Sequence, residues 1–222
     1  MLFRVFIQAR MSSRRFPGKV LAPLAGRPLI AWVVGRVAEA VPKDRILVVT
    51  STDASDDPLA AYVPGLGVKV FRGDLDNVVQ RFQDGLKQYP ADWIVRICAD
   101  SPVLDPDLIG LLARSAQDGI DLVTNVQVRS FPKGQSVEFI NARTFAALQS
   151  DALSAEEKEH LTQVFYRNPQ RFGIINIAAG DAALAGQSHV VDTLDDLRAL
   201  EEMVRGPLPR MAMHAQSGAR AA

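Results

Sequence analysis

The stretch Ile7–Leu21, IQARMSSRRFPGKVL, places four cations, Arg10, Arg14, Arg15 and Lys19, within ten residues, with Ser12 and Ser13 between them. Four cations this close repel one another unless an anion joins them. Backbone amides in a tight turn, together with fixed cations, make a cradle for a polyphosphate. The chemistry to expect is capture of a nucleoside triphosphate. The stretch is not a Walker A loop: Val20 follows Gly18-Lys19, and Ser13 stands where the first glycine should be. Nor is it GxGxxG. A plain solvated basic loop with Gly18 at a turn is the alternative, and it leaves the repulsion uncompensated.

Two acids complement this loop. In Asp92–Pro106, DWIVRICADSPVLDP, an apolar run leads straight into Asp100. A carboxylate just past a central strand is placed to hold Mg²⁺ beside bound phosphates. Asp105, before Pro106, reads as a helix N-cap. In Val190–Leu200, VVDTLDDLRAL, Asp192 ends a short strand and serves as a cap-region acid or as a second ligand. If both strands are central, Asp100 and Asp192 approach the same phosphate oxygens. Cys98 reads as a small buried hydrophobe.

Weaker segments follow. RGDLDNVVQRF puts Arg72 in a loop after a strand, and Arg81 on the next helix as a ligand or a surface charge. FPKGQSVEF sets Lys133, Gln135 and Glu138 beside the turn formers Pro132 and Gly134. That is a loop facing a second substrate, or a hairpin connection. Glu138 is a candidate proton acceptor. His160 falls on a helix, where a lone histidine is more often a surface or packing residue.

The elements that must position these residues alternate between strands and helices. Strands are expected at Phe3–Ala9, Arg45–Thr50, Lys69–Phe71, Trp93–Ile97, Leu122–Asn125, Val137–Asn141, Gly173–Ile177 and His189–Val191. Helices are expected at Pro28–Val41, Leu75–Gln88, Pro106–Asp118, Ala142–Ser150, Ala155–Asn168 and Leu194–Val204, the last capped by Thr193. This alternation predicts an α/β fold, a mostly parallel sheet with helices on both faces. Ligands of such sheets bind at the carboxyl ends of strands, where the Arg10–Lys19 loop and Asp100 fall.

Composition narrows the class. Among 222 residues, 48% are hydrophobic and 23% charged, which fits one globular domain. We expect a nucleotide-binding domain over 1–205 and a flexible tail over 206–222. A single cysteine excludes an intrachain disulfide and a cysteine metal cluster, and suits a reducing, cytoplasmic setting. Three separated histidines without HExxH argue against a zinc enzyme. Arg4 interrupts the first apolar stretch, so no signal peptide is expected, and no early run approaches the roughly 20 residues that span a bilayer. Acidic and basic residues balance at 25 each, yet no acid precedes Glu39. A basic N-terminal end on an acidic remainder suits a compact anion site rather than a nucleic-acid face.

IQARMSSRRFPGKVL resembles the signature of the CMP-sugar synthetases, the acylneuraminate and 3-deoxy-manno-octulosonate cytidylyltransferases. The segments RGDLDNVVQRF, DWIVRICADSPVLDP, DLVTNV, FPKGQSVEF, KEHLTQVFYRNP and VVDTLDDL, in that order, most resemble the branch called spore coat polysaccharide biosynthesis protein F. The resemblance implies a Rossmann-like nucleotide-diphospho-sugar transferase fold. It implies CTP and Mg²⁺, with transfer of the cytidylyl group to a sugar hydroxyl for surface polysaccharide, and a homodimer. Carried over residue by residue, Arg10, Ser12, Ser13, Arg15 and Lys19 match the triphosphate loop, with Lys19, Arg10 and Asp100 catalytic. Asp100 and Asp192 match the metal-binding acids, and Arg72 falls beside the nucleotide. Gln135-Ser136 stands where Leu-Asp is more usual, which removes an acid from the acceptor side. The rivals are a glycosyltransferase of the related fold and a nucleotide-binding module without catalysis. The first wants a DxD motif, but Asp74-Leu75-Asp76 reads as capping; intact Lys19, Asp100 and Asp192 argue against the second.

Overall fold

In the computed structural model, which describes residues 1–212, 215 and 219–220, β1 (Phe3–Gln8) runs through the centre of one sheet. Its parallel neighbours are β4 (Ile46–Ser51) and β6 (Trp93–Cys98), and β5 (Lys69–Gly73) lies parallel outside β4. Beyond β6 come β8 (Glu138–Asn141), antiparallel, then β7 (Leu122–Thr124) and β9 (Ile174–Asn176), parallel to each other. β10 (Ala219–Arg220) pairs antiparallel to β9. The order is β5-β4-β1-β6-β8-β7-β9-β10.

Both faces are covered, because successive strand residues point to opposite sides. On one face Val5, Ile7, Val48, Val95 and Ile97 join Ile30, Val33, Val34 and Val37 of α1 (Leu29–Ala40), with residues of α2 (Asp57–Tyr62) and α4 (Asp107–Ala113). On the other, Phe6, Leu47, Val49 and Ile94 pack on Val78, Val79 and Phe82 of α3 (Val78–Gln88), beside α5 (Ala142–Ala146) and α7 (Gln163–Arg167). A third cluster joins α8 (Leu194–Met203) to the short hairpin of β2 (Pro23–Leu24) and β3 (Arg27–Pro28). Ala25 (φ 47°) and Gly26 (φ 79°) turn that hairpin in the left-handed region. Among the described residues no helix is long and apolar enough to cross a membrane.

From β1 the chain crosses through α1 to β4, then through α2 to β5, and returns through α3 to β6 on the other side of β1. Connections therefore leave the β1–β6 pair in opposite directions, and the crevice at their carboxyl ends is the ligand site of such sheets. Gln8 and Cys98 are the last residues of the two strands.

Several boundaries differ from the sequence reading. The helix expected over 155–168 is two, α6 (Ala155–Glu159) and α7. The backbone leaves the helical region at His160 (φ −109°, ψ 73°), so Glu159 and His160 face a cleft while Val164 and Phe165 enter the core. His189–Val191 forms no strand: Ser188 makes one bridge to Lys133, and Val191 N–H donates to the Asp100 carbonyl at 2.9 Å. The expected flexible tail is docked where it is described. Met211 is buried and the Ala212 N–H donates to Asp105 Oδ2 at 2.8 Å. His214 lies outside the described residues.

Candidate active site

Beyond β1 the chain enters a cleft of about 480 Å³ at the β1–β6 crevice. Its walls carry Arg10, Ser13, Arg14, Arg15 and Lys19 from the first loop, Asp100 from the end of β6, and Asp192 from the approach to α8. Residues up to 182 positions apart in the chain are thus gathered at one edge of the sheet. A second recess, sharing Arg10, Arg14 and Glu159, continues past Ser12 toward Asp74, Asp76 and Asn77.

Lys19 is the centre of the cleft. The chain reaches it through Gly18, whose φ of 77° starts a 3-10 turn over Lys19–Leu21. Only 8% exposed, Lys19 donates from Nζ to Asp100 Oδ2 at 3.1 Å, Asp192 Oδ1 at 3.0 Å and the Val191 carbonyl at 2.7 Å. Arg15 pairs with the other Asp192 oxygen at 2.6 Å, and Arg10 with Glu159 at 2.8 Å. The Arg10 bond holds the Glu159 carboxyl below its ordinary value. The Asp192 backbone is fixed by Asp196, which accepts from the N–H groups of Asp192 and Thr193 at 2.9 and 2.8 Å.

The loop is pinned from beneath by Asp56, which the sequence reading missed. Fully buried, Asp56 accepts from Met11 N–H at 2.6 Å, Thr50 Oγ1 at 2.8 Å, and Ser51 N–H and Oγ at 2.9 and 2.5 Å. Burial alone would raise its carboxyl, but these bonds outweigh it and hold it below the ordinary value. The signal lay in TSTDASDD, an acid-rich turn after a buried strand, yet nothing local shows which of its acids turns inward.

Other expected residues are placed differently. Arg72 donates to the carbonyls of Ser51 and Asp53 at 2.8 and 3.0 Å and pairs with Asp57, away from the cleft walls. Arg81 is no surface charge: it is fully buried, and its Nη1 donates to the Asp74 carbonyl at 2.8 Å. Burial pushes Arg81 down to about 10 against the pull of Asp56. Gln135 is also fully buried. Its Oε1 accepts the Asp105 N–H at 2.8 Å and its Nε2 donates to the Val103 carbonyl at 2.9 Å, so it ties two loops rather than facing a substrate. Lys133 is exposed beside Gly134, where a Cβ would sit 2.7 Å from the His189 backbone. Glu138 is 2% exposed, with one oxygen held by Arg96 and the other by Tyr166, which leaves neither free to take a proton. Cys98 is half-buried and lines the cleft; burial pushes its thiol up to about 11.

Asp74-Leu75-Asp76 behaves as a turn. Asp74 Oδ1 accepts from the N–H groups of Asp76 and Asn77 at 2.8 and 2.6 Å, and Asn77 caps α3.

A family profile described as "Cytidylyltransferase" matches residues 5–201, a span that takes in the loop, Asp100 and Asp192. The chain belongs to the cytidylyltransferase family. It is 29% identical over 204 residues to the spore coat polysaccharide biosynthesis protein SpsF of Bacillus subtilis, covering 89% of this chain and 84% of that one. Among solved structures it is similar to a cytidylyltransferase from Leptospira borgpetersenii, at a TM-score of 0.88 and 26% identity, covering 95% and 90% of the two chains. A CMP:2-keto-3-deoxy-manno-octonic acid synthetase solved with CTP shares the fold, at a TM-score of 0.69 and 19% identity over 92% and 99% of the chains. The fold is thus that of nucleotide-diphospho-sugar transferases, as the resemblance implied.

Proposed function

We propose that this nucleotidyltransferase moves the cytidylyl group of CTP to a sugar hydroxyl, releasing pyrophosphate, to make a CMP-activated sugar for surface polysaccharide. The observation that carries the reading is the single Lys19 Nζ between Asp100 and Asp192, under a loop of three arginines. The acceptor oxygen forms a bond to the α-phosphorus as the bond to pyrophosphate breaks, and the hydroxyl proton passes to solvent. Arg10, Arg14 and Arg15 bind the phosphates, and Ser12 and Ser13 border them. Lys19 and Arg10 absorb the charge that grows on the leaving group. The recess beside Asp74–Asn77 would take the nucleoside.

Asp100 and Asp192 are hard oxygen donors that already share one cation, which is the donor chemistry Mg²⁺ takes together with phosphate oxygens. We assign the metal to this pair. Bound there, Mg²⁺ would neutralise phosphate charge. The lone cysteine suits a cytoplasmic enzyme.

The glycosyltransferase reading loses support because Asp74 is spent on backbone amides. Calorimetric titration with CTP, UTP, GTP and ATP tests the assignment, with CTP expected tightest. Equal affinity for all four, or tightest binding of ATP, overturns cytidylyl transfer while leaving the phosphate loop. Incubation with CTP, Mg²⁺ and a panel of sugar acceptors, scored for pyrophosphate, completes the test.

A further inference from the structure

The protons of Lys19 Nζ are already spent. A lysine ammonium carries three N–H donors and no acceptor. All three have partners: Asp100 Oδ2 at 3.1 Å, Asp192 Oδ1 at 3.0 Å and the Val191 carbonyl at 2.7 Å. None is left for a phosphate oxygen. The side chain is 10% exposed, so water does not readily replace a lost partner. To steady charge on a leaving pyrophosphate, Nζ must therefore give up at least one of the acids.

The acids are matched as fully as the lysine. Asp100 Oδ1 accepts from Ser101 Oγ at 3.2 Å, and Asp192 Oδ2 pairs with Arg15 at 2.6 Å. Two carboxylates thus face two cations, and the cluster carries no net charge. A divalent cation arriving alone has to displace an ammonium that is poorly solvated elsewhere. The two resident cations differ in how readily they let go. The Arg15 side chain is 67% exposed, and pairs of that kind hold weakly. Lys19 is the desolvated member, so it sets the barrier. Its exit needs no backbone movement. Val20 is buried and the Lys19 N–H donates to the Phe16 carbonyl at 3.2 Å, which fixes the main chain. A flexible four-carbon stem with a point charge at its tip swings from that fixed base.

We propose that Lys19 is a placeholder for the metal: its ammonium holds the place between Asp100 and Asp192, and moves to the triphosphate when nucleotide arrives, which frees both acids for a divalent cation. The proposal rests on the assignment of the metal to this pair. The exchange keeps charge matched at both ends, since the triphosphate gains the ammonium that the acids lose. It denies the pair to a metal that comes without nucleotide. Nucleotide and metal therefore favour each other's binding, each by the same factor. Chelation of metal by CTP in solution couples the two without any help from Lys19, so the decisive measurements use the metal alone.

Lys19→Met tests it, because the substitution keeps an unbranched stem and removes the charge. The probe is Mn²⁺ without nucleotide, with free Mn²⁺ counted by electron paramagnetic resonance. Lys19→Met should bind Mn²⁺ about tenfold or more tighter than the wild type, having lost one charge-assisted competitor for the acids. Mg²⁺ alone should likewise raise the melting temperature of Lys19→Met and barely move that of the wild type. Should Lys19→Met not fold without metal, the wild type gives the answer by amine labelling of Lys19. Labelling should rise with saturating Mn²⁺ and fall again when a non-hydrolysable CTP analogue follows. Mn²⁺ binding that is equal in Lys19→Met and wild type, and lost from both on Asp100→Asn, overturns the placeholder and leaves the metal pair standing. Labelling unmoved by saturating Mn²⁺ also overturns it, and labelling that stays high with the analogue overturns the move to the triphosphate. Failure of the metal assignment would appear separately, as Mn²⁺ binding to Lys19→Met that Asp100→Asn leaves intact.

Discussion

The backbone N–H of Met11 donates to the buried carboxylate of Asp56 at 2.6 Å, joining the first turn of the phosphate loop to the turn after β4. Arg10, Arg15 and Lys19 of the loop pair with carboxylates around the cleft, and the Asp56 bond fixes the loop backbone itself. Asp56 also accepts from Thr50 and Ser51, which fixes its own position.

Asp56→Ala should therefore cost about 3 kcal/mol, because several buried donors lose their charged acceptor at once, each at about 1–3 kcal/mol and not additively. Thermal or urea unfolding reads it directly. The pH dependence has a defined sign. The folded-state carboxyl titrates below its ordinary value of 3.8, so its contribution is complete above that value and fades as pH falls through the lower folded-state value. Asp56→Asn should flatten that acid limb. An unchanged unfolding midpoint in Asp56→Ala would refute the anchor.

How far the sequence shows this site follows from range. The Arg10–Lys19 cradle is local, so residue types and spacing reveal it. The apolar run before each of Asp100 and Asp192 points to their meeting, although only the run before Asp100 is a strand; the Asp192 segment is tied to it by the Val191 N–H bond to the Asp100 carbonyl. Gln8 and Arg96 were not legible, since their partners are set by strand register, and Asp56 was not, since only the fold brings Met11 onto it. Gln8 falls opposite Cys98, and Arg96 opposite Glu138. The break at His160 was hidden for a similar reason. Periodicity runs on through KEHLTQVFYRN, and only tertiary placement turns the chain between Glu159 and Leu161.

Lys19→Ala should lower turnover on the order of 100-fold, the loss of about 3 kcal/mol of transition-state stabilisation in a water-poor site. It should also lower the melting temperature. A loop lysine would leave folding unchanged, but this one is 10% exposed at its side chain and separates two carboxylates. Asp192→Asn in the Lys19→Ala background should recover part of the loss by removing their repulsion. A double variant that melts below Lys19→Ala would contradict this.

Asp100→Asn should abolish metal-dependent turnover yet keep, or tighten, metal-free binding of CTP. Replacing the carboxylate by an amide removes a hard ligand from the proposed metal pair and removes repulsion against the triphosphate. Asp192→Asn should act in the same direction more weakly, because Arg15 already offsets one of its oxygens at 2.6 Å. Calorimetry with and without Mg²⁺ separates the two effects. Turnover with Mg²⁺ that survives Asp100→Asn would remove this residue from the metal site.

Glu159 competes with the substrate for Arg10. Its carboxylate holds Arg10 at 2.8 Å, with the arginine side chain 35% exposed and the glutamate 42%. A triphosphate that uses Arg10 must first break this pair or share it. Exposed pairs of this kind contribute about 0–1 kcal/mol, so the competition is modest. Glu159→Gln should therefore tighten CTP binding about threefold, which is about 0.6 kcal/mol. The gain should shrink at high salt, where screening already weakens the pair. It should also shrink at acidic pH, because Arg10 keeps Glu159 ionised to below its ordinary value and protonation of Glu159 then does what the substitution does. Calorimetric titration of CTP at two salt concentrations and two pH values measures all three effects. Weaker binding in Glu159→Gln would show the opposite role, a carboxylate that holds Arg10 where the phosphates need it.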